Sequence, residues 1–408
     1  MKDWNTGRLS DKQLKLSGSH LYFLAMIIYL FRAELVTTNF ASLIDTQMLR
    51  AVANIAVIIL ILAKIILFDR YTAKELLFSG GVLLLGSMIA FVSGYDVALI
   101  TFLFVVGAKS VSFYKIVRLH FVYALFFVVA AFLASQAGII ENTITYRGSI
   151  PRQSFGIIYC TDFASHVFYL MVSYVYLRGN KLRHVELALL SVLVVWIYIN
   201  CNARLDCACM AVLIVLLVIR KIKSSLSGEP IYALPKYPWL EKIMAWAMPI
   251  CAVISIGLAY LFAADSAKWS WLNEFFNNRL IQGAKALSMY SFNLFGQIVE
   301  VQGQVGDNAS LSEYFFIDSS FLLYGLRYGL VFLCFFCAGS TFMMMREIKR
   351  KNAIFCILFL LISVNSIFAH HLTELAYNPF LLFFFAQTEI YPTLNVERNR
   401  RRVRFKVR

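Results

Sequence analysis

The side chains best suited to chemistry in this 408-residue sequence are arginines, histidines and carboxylates at the ends of apolar runs. Arg147 and Arg152 precede one run, Arg204 and Asp206 open another, and Arg279 sits in a long polar stretch that ends at Asp318. Arginine holds its charge at any working pH, and its planar fork grips phosphate oxygens in pairs. Several such side chains converging on one point would hold a diphosphate. Taken singly, each could also snorkel to an interface or pair with a nearby acid. His370, His371 and Glu374 form a titratable group, and imidazole titrates near neutrality, so either histidine could take a proton from a hydroxyl. Asp162 and His166 are four apart, which puts them on one helix face. They could form an acid/base pair, hold a sugar hydroxyl or satisfy each other. The spacing His-His-x-x-Glu is not the zinc pattern His-Glu-x-x-His, so no metal or other cofactor is expected.

The elements that must position these residues are membrane spans. Apolar residues make up 60% of the chain and charged residues 15%, against about 45–50% and about 25% in ordinary soluble domains. A bilayer core is crossed by about 20 apolar residues. The candidate spans are 20–36, 49–68, 76–93, 97–108, 116–137, 155–177, 185–200, 205–219, 243–262, 321–343, 353–368 and 380–390. The expectation is an all-α bundle of about twelve spans, one integral membrane domain over residues 1–395, with a basic tail at 396–408. Residues 1–19 lack the apolar core and cleavage site of a signal peptide, so the first span is expected to remain as an anchor.

Charge orients the bundle. With both termini in the cytoplasm, only Arg147, Arg152, Arg204, Lys268, Arg279 and Lys285 of the 38 Lys and Arg fall in outer segments. Arg32, Arg50, Lys64 and Arg327 lie in or at the edges of spans, and all the others face inward, as the positive-inside rule requires. Arg32 and Lys64 read as snorkelling side chains, while Arg327 could face the same cavity as Asp318. The residues proposed above for chemistry then share the outer face and are expected to line one outward-open cavity. The polar stretch 263–320 becomes an outer loop, and Leu272, Phe275, Phe276 and Leu280 at helical spacing give it amphipathic helices.

Several classes are disfavoured. The positive charge lies in short clusters between apolar runs, which argues against a nucleic-acid partner. No Gly-rich phosphate loop, acidic nucleotide–metal motif or catalytic serine motif is present. No internal repeat with paired broken spans is evident, which weakens an inverted-repeat transporter. The eight cysteines lie in or beside apolar runs and read as small buried hydrophobes.

The stretch Arg152-Gln-Ser-Phe-Gly, followed by Tyr159-Cys-Thr-Asp162-Phe-Ala-Ser-His166, resembles the Wzy-type polymerases of bacterial capsule, exopolysaccharide and O-antigen assembly. So do Asn202-Ala-Arg204, Asn278-Arg279-Leu280 with Phe295-Gly296-Gln297, Asp318-Ser319-Ser320, and His370-His371 through Tyr377-Asn378-Pro379-Phe380. The likeness covers roughly residues 140–390; where some relatives read His-Pro-Asn, this chain has Tyr159-Cys160-Thr161. The resemblance implies a metal-independent glycosyltransferase of the bacterial plasma membrane. It would move a glycan from undecaprenyl diphosphate to the hydroxyl of a second lipid-linked repeat unit, in company with flippase and chain-length regulator proteins. Arg152, Arg204 and Arg279, with Arg147, would bind diphosphate, and His370 or His371 would be the base. Asp162, His166, Asp318 and Glu374 would bind sugar or support the base. A lipid-linked glycan ligase, or a flippase or other transporter of such lipids, is the alternative.

Overall fold

The computed structural model describes residues 17–227, 234, 237–301 and 315–388. The basic tail 396–408 lies outside these residues. The chain is mostly helical, and seven of its helices are long and apolar enough to cross a membrane. They are α1 (Gly18–Thr37), α2 (Thr46–Leu67), α3 (Ala73–Ser93), α5 (Phe113–Gln136), α7 (His184–Cys201), α10 (Ala247–Ala264) and α14 (Leu330–Lys349). Between them run α4 (Val97–Gly107), α6 (Cys160–Arg178), α8 (Arg204–Ser227), α9 (Pro238–Ala245), α11 (Ser270–Phe275), α12 (Arg279–Met289), α13 (Ser320–Arg327) and α15 (Ala353–Asn365). Large apolar side chains such as Phe91 and Leu77 are almost fully exposed, a surface that water would penalise and lipid would not. This is a polytopic membrane bundle.

Local chemistry sets the helix ends. Asp45 caps α2 by accepting from the amides of Gln47 and Met48, and Thr72 with Glu75 forms a reciprocal cap on α3. Asn202 takes a left-handed conformation and stops α7, and α8 begins two residues later.

The stretch between α5 and α6 forms an antiparallel hairpin, β1 (Ile144–Arg147) with β2 (Ile150–Gln153), turning at Gly148 with positive φ. Two expected spans change. The stretch 321–343 is not one helix. It breaks at Gly329, whose left-handed backbone passes so close to Gly296 that a Cβ would sit 2.4 Å from the Gly296 nitrogen. The final stretch is not a helical span either. A short 3₁₀ segment, Pro379–Phe384, runs back through the bundle until Ala386 and Gln387 pair with Lys109 and Ser112. Irregular backbone at that depth is tolerated only when protein satisfies it. Here Asn378 donates to the Leu372 carbonyl and accepts from Phe380 N, and the Nε2 of His120 meets the Ala376 carbonyl at 2.9 Å.

Lys64 does not snorkel. It is buried at the end of the bundle opposite the hairpin, 2.6 Å from Asp69, and donates to the Lys109 carbonyl. Most of the cysteines are buried as expected, but Cys334 is exposed and Cys209 and Cys337 are half-buried. The stretch after α10 forms two short helices where it is described: Leu272 and Phe275 lie on α11, with Phe275 exposed, and Leu280 lies on α12, which packs its Leu280, Gly283 and Ala286 face against α10.

Candidate functional site

The titratable residues meet at the hairpin end, in the turn that joins α15 to the buried 3₁₀ segment. Ser320 staples this turn by donating to the Ala369 carbonyl and accepting from Leu372 N. Tyr324 OH accepts from Thr373 N. Its neighbour Ser319 caps α13 and meets Ser255 of α10 at 2.5 Å. The run Asp318-Ser319-Ser320 is therefore a bracket that fixes the histidine turn.

Within the turn, His371 is buried between two acids. Its Nδ1 lies 2.9 Å from Glu374 Oε2, and its Nε2 lies 3.5 Å from Asp162 Oδ1 at the start of α6. Burial alone would push this imidazole down, but the two carboxylates outweigh it and hold the group up to about 10. At neutral pH His371 carries its proton. His370 behaves oppositely. Burial and the charge of His371, 3.9 Å away ring to ring, push it below the usual histidine value. Its Nε2 is 3.9 Å from Glu374 Oε1, and Phe316 abuts its face. Burial works to raise the Glu374 carboxyl, but the adjacent histidines outweigh it and hold the group below its ordinary range.

Asp162 and His166 do not satisfy each other. The Nε2 of His166 meets Thr37 Oγ1 at 3.1 Å, and its Nδ1 is 3.9 Å from the fully buried Glu34. His166 stacks on Tyr377 at 3.9 Å, and Tyr377 stacks on His371 at 3.8 Å. Sequence reasoning named His166 but missed Glu34 and the aromatic plate, because stacking between residues so far apart leaves no local spacing signal.

The ligand atoms of Asp162, His370 and His371 lie within 4.8 Å of one another, a spacing a cation could use. An imidazolium has no lone pair to offer a metal, so the proton on His371 competes directly with any such ion.

The arginines are held by backbone carbonyls. Arg147 Nη1 donates to the Asn202 carbonyl at 2.9 Å, and Arg152 Nε donates to the Cys201 carbonyl at 2.9 Å. The Nη2 of Arg152 is buried with no acceptor. Arg204 is exposed at the start of α8. Arg279 donates to the Phe368 carbonyl, and its Nε lies 3.6 Å from Asp318. Burial first, then the positive charges of Arg152, Arg204 and Arg279, push Arg147 down to about 10, so the four form one electrostatic neighbourhood. Asp206 is buried at the head of α8 and accepts from Ser165 and Asn365. Arg279 and Asp318 line a small pocket with Ser255, Ser319, Ile367 and Phe368. The lining of that pocket includes neither Arg152, Arg204 nor the histidines, so it is not the single shared cavity expected.

A second basic corner escaped the sequence reading. Arg327 does not face Asp318; its guanidinium lies 4.2 Å over the Tyr95 ring and donates to the Val299 carbonyl. Arg32 lies 5.1 Å over Tyr29, and Arg50 pairs with Asp96.

Compared with models of protein families, with curated proteins and with solved structures, the chain matches none of them.

Proposed function

We propose that this chain is a glycosyltransferase of the bacterial plasma membrane that polymerises undecaprenyl-diphosphate-linked repeat units at the outer leaflet. The observation that carries this reading is the geometry of the hairpin end, where His371 lies 2.9 Å from Glu374 and 3.5 Å from Asp162 with His370 beside it, and where Arg147, Arg152 and Arg279 are held on backbone carbonyls with the Nη2 of Arg152 unpartnered. In this reading the hairpin end faces outward. We count the seven long helices, with α4, α6, α8, α15 and the buried segment around Pro379–Phe384, as the twelve crossings of this reading, and take the charge distribution as the support for cytoplasmic termini.

The chemistry follows from the charges. His370, being neutral, takes the proton from the acceptor hydroxyl, whose oxygen forms the new bond to the anomeric carbon. The bond from that carbon to the lipid diphosphate breaks, and its electron pair leaves on the diphosphate. Arg152, with its unpartnered Nη2, and Arg279, with Arg147 and Arg204 nearby, stabilise that charge. His371 keeps its proton, orients Glu374 and Asp162, and adds positive charge beside the reacting oxygen. Asp162, Asp318 and Glu374 are left to accept from sugar hydroxyls, and His166 supports the plate beneath.

A second reading, transport of a lipid-linked glycan, draws on the irregular segment that crosses the bundle, since broken elements often line transport paths. One experiment separates the two. Purified protein given lipid-linked repeat units in detergent should yield a ladder of products on a gel. Movement of the lipid across liposomes with no ladder would sink the polymerase reading, and addition of one glycan to a different acceptor would indicate a ligase.

A further inference from the structure

The second basic corner is built from elements other than those that carry Arg147, Arg152, Arg204 and Arg279. Arg32 comes from the last turns of α1, Arg50 from the first turns of α2 and Arg327 from the end of α13. Among the described residues, neither Arg32 nor Arg327 has an acid within ion-pair distance, and the Nε of each is buried without an acceptor. The one local carboxylate that is paired, Asp96, already accepts from Arg50 and Asn54. Tyr29 lies within electrostatic reach of Arg32, Arg50, Asp96 and Glu374, and Glu374 lies within reach of Arg327. The corner is joined to the histidine turn by Tyr328, the residue after Arg327, which stacks at 5.5 Å on Tyr324, whose OH accepts from Thr373 N. Among the described residues, the corner carries more positive charge than its paired carboxylate neutralises.

The backbone that carries Arg327 is fixed as well. Gly296 has positive φ and passes so near the Arg327 carbonyl that a Cβ would sit 2.1 Å from it. Gln297 N donates to the same carbonyl. The guanidinium itself is held by the Val299 carbonyl and the Tyr95 ring, and its idle donor is prepared for an anion that the described residues do not supply.

We propose that Arg32, Arg50 and Arg327 form a second binding site for the diphosphate of a prenyl-linked substrate, separate from the Arg147, Arg152, Arg204 and Arg279 group. This deepens the polymerase reading and rests on it for the roles. Polymerisation needs two lipid diphosphates at once, one whose glycan leaves and one whose hydroxyl attacks, with His370 between them. The arginine group with the orphaned Arg152 donor takes the leaving diphosphate. The Arg32 corner takes the diphosphate that remains bound to its sugar.

The test counts sites directly and needs no turnover. Full-length protein in nanodiscs would be titrated with farnesyl diphosphate, and separately with inorganic pyrophosphate, by calorimetry. Two sites for farnesyl diphosphate are expected. R32Q/R327Q should weaken one at least about tenfold, and R152Q/R279Q should weaken the other. If either double variant does not fold, the single lysine variants R32K and R327K keep the charge but lose the fork, and should still weaken that one site. A single site that is lost in R152Q/R279Q and unchanged in R32Q/R327Q overturns the proposal. Pyrophosphate filling the Arg32 site as tightly as the prenyl compound overturns its assignment to a lipid. A ladder formed by protein with one site removes the second site and leaves the polymerase reading standing. Two titrated sites without a ladder keep the second site and remove the polymerase.

Discussion

His371 and Glu374, three residues apart, meet at 2.9 Å through Nδ1 and Oε2, and this contact separates the roles of two adjacent histidines. The pair, completed by Asp162, holds the His371 proton up to about pH 10. Burial beside that charge keeps His370 neutral at physiological pH. Activity is therefore expected to fall on the acid side only below the ordinary histidine value, as His370 gains a proton. On the alkaline side it should fall as His371 loses one near 10. The linkage to stability has the matching sign. The folded value for His371 lies above its unfolded value of about 6.5, so its stabilisation is complete below that pH and is lost as pH rises through about 10. Ladder formation and thermal unfolding followed over a pH series check both limbs. H371N should remove the alkaline limb of stability, and an unchanged limb would refute the assignment.

Arg279 is predicted to matter through its fork. It touches the Phe368 carbonyl with one nitrogen and faces Asp318 with another, so it is positioned before any ligand arrives. R279Q should lower the polymerisation rate by about 10²-fold, the usual cost of removing one donor to developing negative charge. R279K should recover little of it, because lysine lacks the fixed geometry. A rate within about twofold of the parent in R279Q would place the leaving group elsewhere.

How much of this was legible in the sequence depends on the range of the interaction. Apolar runs of bilayer length announce themselves, so the membrane bundle could be read directly. The helices after α10 were legible only in part: of Leu272, Phe275, Phe276 and Leu280, read together at helical spacing, Leu272 and Phe275 fall on α11 and Leu280 on α12, and the Gly283 and Ala286 that pack with Leu280 carried no such signal. The Phe-rich run after Pro379 misled, because hydropathy cannot distinguish a helix in lipid from a 3₁₀ segment wrapped in protein. The candidate residues were visible as types out of place, but their partners were not. Nothing in the spacing joins Asp162 to His371, or Tyr377 to His166, because the fold alone brings them together. Lys64 beside Asp69 is the converse case: the pair is nearly adjacent in sequence, yet its burial depends on Lys109 from another part of the chain.

That buried pair gives a prediction independent of any activity. Lys64 is 1% exposed and the Asp69 side chain 4%. K64M should destabilise the protein by about 3–5 kcal/mol, because it strands a buried carboxylate without its cation. The double variant K64M/D69L should recover most of that loss, since two apolar side chains remove the desolvation cost from both sides. Unfolding in mixed micelles, scanned with denaturing detergent, provides the measurement. Equal losses in the single and double variants would show that the pair contributes through packing and not through charge.

The His120 contact with the Ala376 carbonyl leads to the last prediction, which concerns the path of the chain through the bundle. The segment around Pro379–Phe384 lacks the regular ladder that satisfies a helix in lipid, so each of its carbonyls needs a partner from elsewhere. His120 lies buried on α5 and supplies one at 2.9 Å. H120L keeps the volume but leaves the carbonyl alone, which should cost about 1–3 kcal/mol. H120Q can still donate and should cost less. The displacement should also travel. Ala376 is next to Tyr377, and Tyr377 is clamped between His166 and His371, so a slackened carbonyl shifts the plate on which the charged histidine rests. H120L is therefore expected to slow polymerisation more than its loss of stability explains, with H120Q restoring both. Restored stability without restored rate in H120Q would separate the crossing segment from the histidine turn and break this link.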